Sequence, residues 1–210
     1  MKTKEKHNRK LLVEGNDDRH VIWALCKQFG IDETFDVIDC GGIENLYDAL
    51  QVRFKQSDIQ TIGIIVDADT NLHSRWMHIR ELLFRHGFPV PDSMPEEGLI
   101  LSNAGGIRVG VWIMPDNNLN GMLEDFISFL IPEDDKLLPL VRTALDRIES
   151  QNLNRYSLIH RSKAIIHSWL AWQEYPGVPM GLSITKRYLT TDREICRQLI
   201  QWLRTLLTCE

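Results

Sequence analysis

The chain has 210 residues, of which 43% are hydrophobic and 25% are charged, and its formal net charge at pH 7 is −5. These values are ordinary for a globular protein with a substantial core. The negative charge excludes a general attraction to nucleic acid, so a polyanion would need a local basic surface or a bound metal.

Four scattered cysteines argue against both a structural zinc site and a disulfide framework. They are Cys26, Cys40, Cys196 and Cys209. We expect reduced thiols and a cytoplasmic location. The N-terminal stretch lacks the apolar core of a signal peptide. No apolar run approaches the ~20 residues that span a bilayer, so no membrane contact is predicted.

The first 87 residues alternate between strand and helix patterns. Alternating or continuous apolar residues predict strands, and apolar residues at helical spacing predict helices. The predicted strands are 11–14, 34–39 and 61–66, and the predicted helices are 19–29, 43–55 and 73–86. The strand at 61–66 is the most apolar, which places it in the sheet centre. This order predicts a mainly parallel sheet with helices on both faces.

The remaining chain begins with a loop over 88–98, followed by a predicted hairpin and then by helices. The hairpin strands are 99–102 and 107–114, joined by Asn103-Ala104-Gly105-Gly106. The predicted helices are 122–130, 136–151, 162–173 and 192–207, with 175–181 as a loop. We therefore expect an α/β domain over residues 1–132 and a helical extension over 133–210 packed on it, or one single domain.

Two apolar strands end abruptly in carboxylates. Glu14 ends the first strand, and Asp67 and Asp69 follow the central strand. Asp18 lies one helical turn beyond Glu14 and can point back over the strand end, whereas Asp17 is expected to cap the helix. Ligands of open α/β sheets bind at the carboxyl ends of strands, and clustered carboxylates repel one another unless a cation lies between them. An oxygen-only cluster suits Mg²⁺ or Mn²⁺.

The segment Leu12-Val13-Glu14-Gly15-x-x-Asp18, followed by an apolar strand and Asp67-x-Asp69, resembles the Toprim domain. The resemblance covers roughly residues 8–130 and extends to stand-alone, OLD-nuclease-like bacterial Toprim proteins. It implies a Rossmann-like Toprim fold and a divalent-metal-dependent nuclease or phosphotransfer activity on the phosphodiesters of DNA or RNA.

The same resemblance implies roles for single residues. Glu14 becomes a metal ligand or general acid/base, and Asp67 and Asp69 become Mg²⁺ ligands. In OLD-like members two further acids contribute, and Asp18 and Glu124 match them. Ser102 matches a polar residue near the metals in that subgroup. Lys163, in a local basic cluster, is the candidate for transition-state stabilisation.

Other functions remain open at this point. The Asp67-x-Asp69 strand also resembles the nucleophile strand of HAD-like phosphohydrolases. The chain could instead be a non-catalytic, metal-binding regulatory or defence-system subunit with a partner protein, or a homodimer. A Walker A loop is absent, so nucleotide hydrolysis by that route is not supported.

Overall fold

The computed structural model describes residues 5–207, which form five strands and eight α-helices. The strands are β1 (Arg9–Val13), β2 (Asp36–Asp39), β3 (Thr61–Asp67), β4 (Leu99–Ser102) and β5 (Arg108–Met114). The helices are α1 (Asn16–Phe29), α2 (Ile43–Arg53), α3 (Leu72–Arg85), α4 (Leu123–Phe129), α5 (Leu137–Ser150), α6 (Arg161–Ala171), α7 (Met180–Thr185) and α8 (Glu194–Leu207). A 3-10 turn, Leu158–His160, precedes α6.

The strands form one sheet in the order β2-β1-β3-β5-β4. Every neighbouring pair is parallel except β4 and β5, which are antiparallel. The predicted α/β class and mostly parallel sheet are therefore confirmed. The prediction that the most apolar strand is central is also confirmed, because β3 has two strands on each side and six of its seven residues are buried.

Alternate residues of the strands face two hydrophobic layers, as the period of a β-strand requires. Leu11 and Val13 of β1 pack with α1 and with the helices that follow β5. Leu12 of β1, together with Ile64 of β3, packs on the other face with α2 and α3. The sheet is thus covered by helices on both faces.

The C-terminal helices share their core with the first strand and helix. α8 can approach the sheet closely because Gly63 of β3 and Gly110 of β5, which are paired with each other, have no side chains. A Cβ atom at either glycine would lie 2.9 Å or less from a side-chain carbon of Leu206. Residues on both sides of position 132 contribute to this core, while the domain boundary itself stays a prediction.

Two expectations are wrong. The segment 175–181 is not entirely loop, because α7 begins at Met180. Ser102 does not lie near the other candidate residues, since it pairs with Arg108, which also pairs with Thr61 at the start of β3. Because β4 is antiparallel to its neighbour, its last residue lies at the amino ends of the parallel strands, across the sheet from Asp67.

The described part of the chain contains no helix long and apolar enough to cross a membrane. Its cysteines, Cys26, Cys40 and Cys196, are free thiols. Cys209 lies outside the described residues.

Candidate metal centre

Glu14 and Asp67 meet at the carboxyl ends of the adjacent parallel strands β1 and β3. The Oε1 atom of Glu14 accepts a hydrogen bond from the backbone N–H of Asp67 over 2.8 Å. The Oδ1 atom of Asp67 accepts one from the backbone N–H of Leu123, the first residue of α4, over 2.9 Å. Each carboxylate is therefore tethered through one oxygen, and its second oxygen makes no hydrogen bond with another described residue.

Asp18 repeats this arrangement on α1. Its Oδ2 atom accepts a hydrogen bond from the backbone N–H of Gly15 over 3.1 Å, which closes the first turn of the helix. Its Oδ1 atom is buried and has no hydrogen-bond partner among the described residues. An unpartnered buried oxygen costs free energy unless something in the functional state binds it.

Glu124 enters from the first turn of α4 and is only 4% exposed. Its Oε1 atom lies 3.9 Å from the Nζ atom of Lys163 on α6. Lys163 is itself 46% exposed, so its ammonium group sits between the buried acid and solvent. Four of the five predicted ligands and the predicted lysine thus lie in one region.

A cavity of about 250 Å³ opens at this region. Its lining includes Asp17, Asp18, Asp67, Glu124 and Lys163, together with Gly15 and Asn16. Asp17 is not the helix cap that the sequence suggests, because Gly15 is the N-cap of α1 and Asp17 lies on the cavity wall.

Asp69 is positioned differently from the other acids. Its Oδ2 atom lies 2.6 Å from Arg75 Nη2, and it borders a neighbouring cavity of about 360 Å³ together with Asp125 and Ser162. Its φ of 52° is in the left-handed region, and its N–H donates to Gly121 O. The structure therefore does not place Asp69 in the cavity that Asp67 and Glu124 line.

The acids of the site disfavour one another's ionisation. Burial raises the pKa of Asp67 well above its ordinary value, and Asp18, Glu14, Glu124 and Asp69 raise it further. Burial and the charge of Glu14 raise the pKa of Asp18 to about 7. Burial also raises the pKa of Glu14 and of Glu124. A cation among these carboxylates would reverse this cost.

The donor set fits a hard divalent cation. All candidate donors are carboxylate oxygens, and the free oxygens of Glu14, Asp18 and Asp67 lack other partners among the described residues, which is the chemistry that Mg²⁺ or Mn²⁺ prefers. Within residues 5–207, however, no three acidic, histidine or cysteine side chains are already grouped as a ready-made metal site. The acids lie near one another but do not form a complete coordination shell.

Two contributors to the site are not apparent from the sequence. The backbone N–H of Leu123 fixes Asp67. Arg75 of α3 donates to Asp67 O, Tyr47 Oη and Asp69 Oδ2. Backbone donors carry no residue-type signal, and Arg75 is one of three arginines in α3, so the sequence alone does not single out either group.

Comparisons with known proteins give one match. No curated protein and no solved structure matches the chain. Residues 8–208, which include every strand and helix described above, match a family described as "Protein of unknown function (DUF3226)". Because this match covers nearly the whole chain, the protein belongs to the DUF3226 family.

Proposed function

We propose that this protein is a Toprim-type enzyme that uses Mg²⁺ or Mn²⁺ to cleave or transfer phosphodiester bonds in nucleic acid. The observation that carries this proposal is the tethering of Glu14, Asp18 and Asp67 through one oxygen each to a backbone N–H. The other oxygens remain available at the carboxyl ends of two parallel strands. This pre-organisation has no evident packing purpose, since removing each carboxylate from water costs free energy in the absence of a cation.

Glu14, Asp18, Asp67 and Glu124 would hold the cation, and Asp69 would join them if Arg75 released its carboxylate. A divalent cation bound there would lower the pKa of a water molecule and would neutralise charge on the phosphate. The Toprim resemblance of the Glu14 and Asp67-x-Asp69 motifs supports this assignment but does not carry it alone.

The chain's own groups divide the remaining work. In hydrolysis, the water oxygen forms a bond to phosphorus, the ester P–O bond breaks, and the leaving oxygen takes up a proton. Glu14 would accept the proton of the attacking water, because its second carboxylate oxygen makes no hydrogen bond with another described residue. Lys163, at the solvent side of Glu124, stabilises the negative charge that develops on the phosphate oxygens.

A HAD-like reaction fits this site less well. It would require Asp67 to attack phosphorus through a carboxylate oxygen, and the proposed enzyme uses that oxygen to hold a cation. One of its oxygens is also bound to the N–H of Leu123.

Cleavage assays test the proposal. Labelled single-stranded and duplex DNA and RNA are incubated with the purified protein and MnCl₂, with Glu14→Gln and Asp67→Asn as test variants. Asp48→Asn, an exposed acid on α2, is the matched control. We expect cleavage by the wild type and the control and a loss of at least about 100-fold in both test variants.

Cleavage that persists unchanged in Asp67→Asn would overturn the assignment. Cation binding without cleavage of any substrate would favour the non-catalytic, metal-binding subunit instead.

A further inference from the structure

Two basic side chains, Arg19 and His167, lie next to residues that line the acidic cavity, and we call them the basic rim; Arg19 belongs to α1. Arg19 donates from Nη2 to the side-chain oxygen of Asn16 over 2.6 Å. Asn16 lines the cavity, so this bond holds the guanidinium group at the cavity edge. Arg19 makes no salt bridge with a carboxylate among the described residues, unlike Arg161, which pairs with Asp146 and Glu149. Its positive charge is therefore not neutralised within the described fold.

The other side of the rim lies on α6. Lys163 lines the cavity, and His167 follows it by four residues, so both side chains share one face of the helix. His167 is exposed, and it acts on the same buried acid as Lys163, since both lower the pKa of Glu124. The two basic groups thus share the α6 face that contributes Lys163 to the cavity lining.

We propose that Arg19 and His167 bind the phosphates that flank the scissile phosphodiester, so that the substrate is a polynucleotide strand rather than a mononucleotide or a small phosphate ester. This inference rests on the proposed function. The two residues stand on two different helices that both contribute residues to the cavity lining, so a strand that presents one phosphate to the acidic floor extends past both helices.

The charges of the protein make such a rim necessary. A net charge of −5 repels a polyanion, and the cavity floor is acidic. Phosphate contacts from arginine supply affinity that depends steeply on salt, and a neutral or protonated imidazole donates a hydrogen bond to a phosphate oxygen. A small ester would reach the cavity floor without touching the rim, so it would gain nothing from these side chains.

The test compares strand binding with turnover of a small substrate. Binding of a fluorescent 12-nucleotide strand, single-stranded or in a duplex, is measured by anisotropy in CaCl₂ at several salt concentrations. The variants are Arg19→Gln, His167→Gln and their combination. The control is Lys27→Gln, an exposed base in the last turn of α1, far from the cavity. Hydrolysis of bis(p-nitrophenyl) phosphate in MnCl₂ is measured in parallel.

We expect each rim variant to weaken strand binding about 3- to 10-fold, and Arg19→Gln to reduce the salt slope of log K by about 1. Hydrolysis of the small ester should fall less than strand binding does in the same variant, and Lys27→Gln should change neither. If the double variant binds the strand as tightly as Lys27→Gln does, Arg19 and His167 do not bind substrate phosphates, even if the wild type cleaves nucleic acid. If no cation-dependent cleavage occurs but strand binding still depends on Arg19 and His167, the proposed function is wrong. The proposed role of the two residues in strand binding is then retained.

Discussion

Asp18 combines deep burial with a carboxylate oxygen that has no partner among the described residues. Burial and the charge of Glu14 raise its pKa from 3.8 to about 7. Between about pH 4 and pH 7, the folded protein therefore holds a proton that the unfolded chain has released. Without a cation, this residue makes the free energy of unfolding fall as the pH rises through that window.

Asp18→Asn removes this titration. We expect the variant to be more stable than the wild type in EDTA at pH 8, by up to a few kcal/mol, because a shift of one pKa unit corresponds to about 1.4 kcal/mol. At pH 4 the difference should be small. Urea unfolding at both pH values measures it, and Asp48→Asn serves as the exposed control. An equal difference at pH 4 and pH 8 would show that ionisation of Asp18 is not its cause.

Arg75 ties together three parts of the site. Its guanidinium group donates to the Asp67 carbonyl, the Tyr47 hydroxyl and the Asp69 carboxylate, and its side chain is 14% exposed. The bond to Asp69 also holds this acid outside the cavity that Asp67 lines. Arg75 is therefore both a structural support of the strand end and a competitor of any cation for Asp69.

Arg75→Met removes all three hydrogen bonds while keeping much of the side-chain volume. We expect a loss of about 2–4 kcal/mol in the free energy of unfolding, since hydrogen bonds to charged groups contribute about 1.5–3 kcal/mol each and are not additive. Arg85→Met, which breaks only an exposed ion pair with Glu81, should cost less than about 1 kcal/mol. Equal losses in the two variants by urea unfolding would show that Arg75 does not support the site.

The helices that carry the acids are placed by tight packing between elements. α1, which presents Asp18, packs against α7 at Gly181. A Cβ atom at Gly181 would lie 2.5 Å from the backbone oxygen of His20. Because this neighbour is backbone and not a flexible side chain, α1 would have to move to make room.

Gly181→Ala should therefore destabilise the protein by about 1–3 kcal/mol, even though alanine is the better helix former by up to about 1 kcal/mol. The matched control is Gly105→Ala in the β4–β5 turn, where the three atoms nearest to the added Cβ all belong to the side chain of Asn103. Thermal and urea unfolding measure both variants. A more stable Gly181→Ala protein would show that α1 and α7 are not held at this distance.

Much of the element order could be predicted from the sequence, and the reasons are local. The residues from Ile62 to Val66 are so apolar that they predict a strand in the centre of the sheet. The turn residues from Asn103 to Gly106 predict the hairpin. Features set by tertiary packing could not be predicted in this way. The start of α7 is hidden by its preceding prolines. The position of Ser102 follows from the parallel pairing of β5 with β3, which the local pattern of the hairpin does not encode.

The candidate site shows the same division. Strand ends can be predicted, so Glu14 and Asp67 are expected to meet, and they are joined by a hydrogen bond. The sequence could not show that Arg75 holds Asp69 apart from the cavity, because that contact depends on the rotation of α3 and on the left-handed φ of Asp69. The roles of these residues in metal binding stay predictions.

At the scale of the whole molecule, the acidic cavity joins segments that are distant in the chain. Asp18 lies in the first turn of α1, Asp67 ends β3, Glu124 lies in the first turn of α4, and Lys163 belongs to α6. These segments are brought together only in the folded state. A cation that bridges them should therefore bind the folded protein and not the unfolded chain, and it should stabilise the fold by mass action.

We expect MnCl₂ at 100 times its Kd to raise the free energy of unfolding by about 2.7 kcal/mol. This rise should appear as a higher Tm in thermal unfolding of the wild type. It should be abolished or strongly reduced in Asp67→Asn and retained in Asp48→Asn. An equal increase in all three proteins would assign the stabilisation to nonspecific binding of Mn²⁺ at the surface.

The central claim, that the carboxylates at the ends of β1 and β3 hold a divalent cation, is tested most directly by anomalous diffraction from crystals grown with MnCl₂. We predict a manganese peak in contact with carboxylate oxygens of Glu14 and Asp67, with Asp18 or Glu124 completing the ligand set. A map without a peak in this cavity, at a MnCl₂ concentration that saturates any stabilisation in solution, would contradict it.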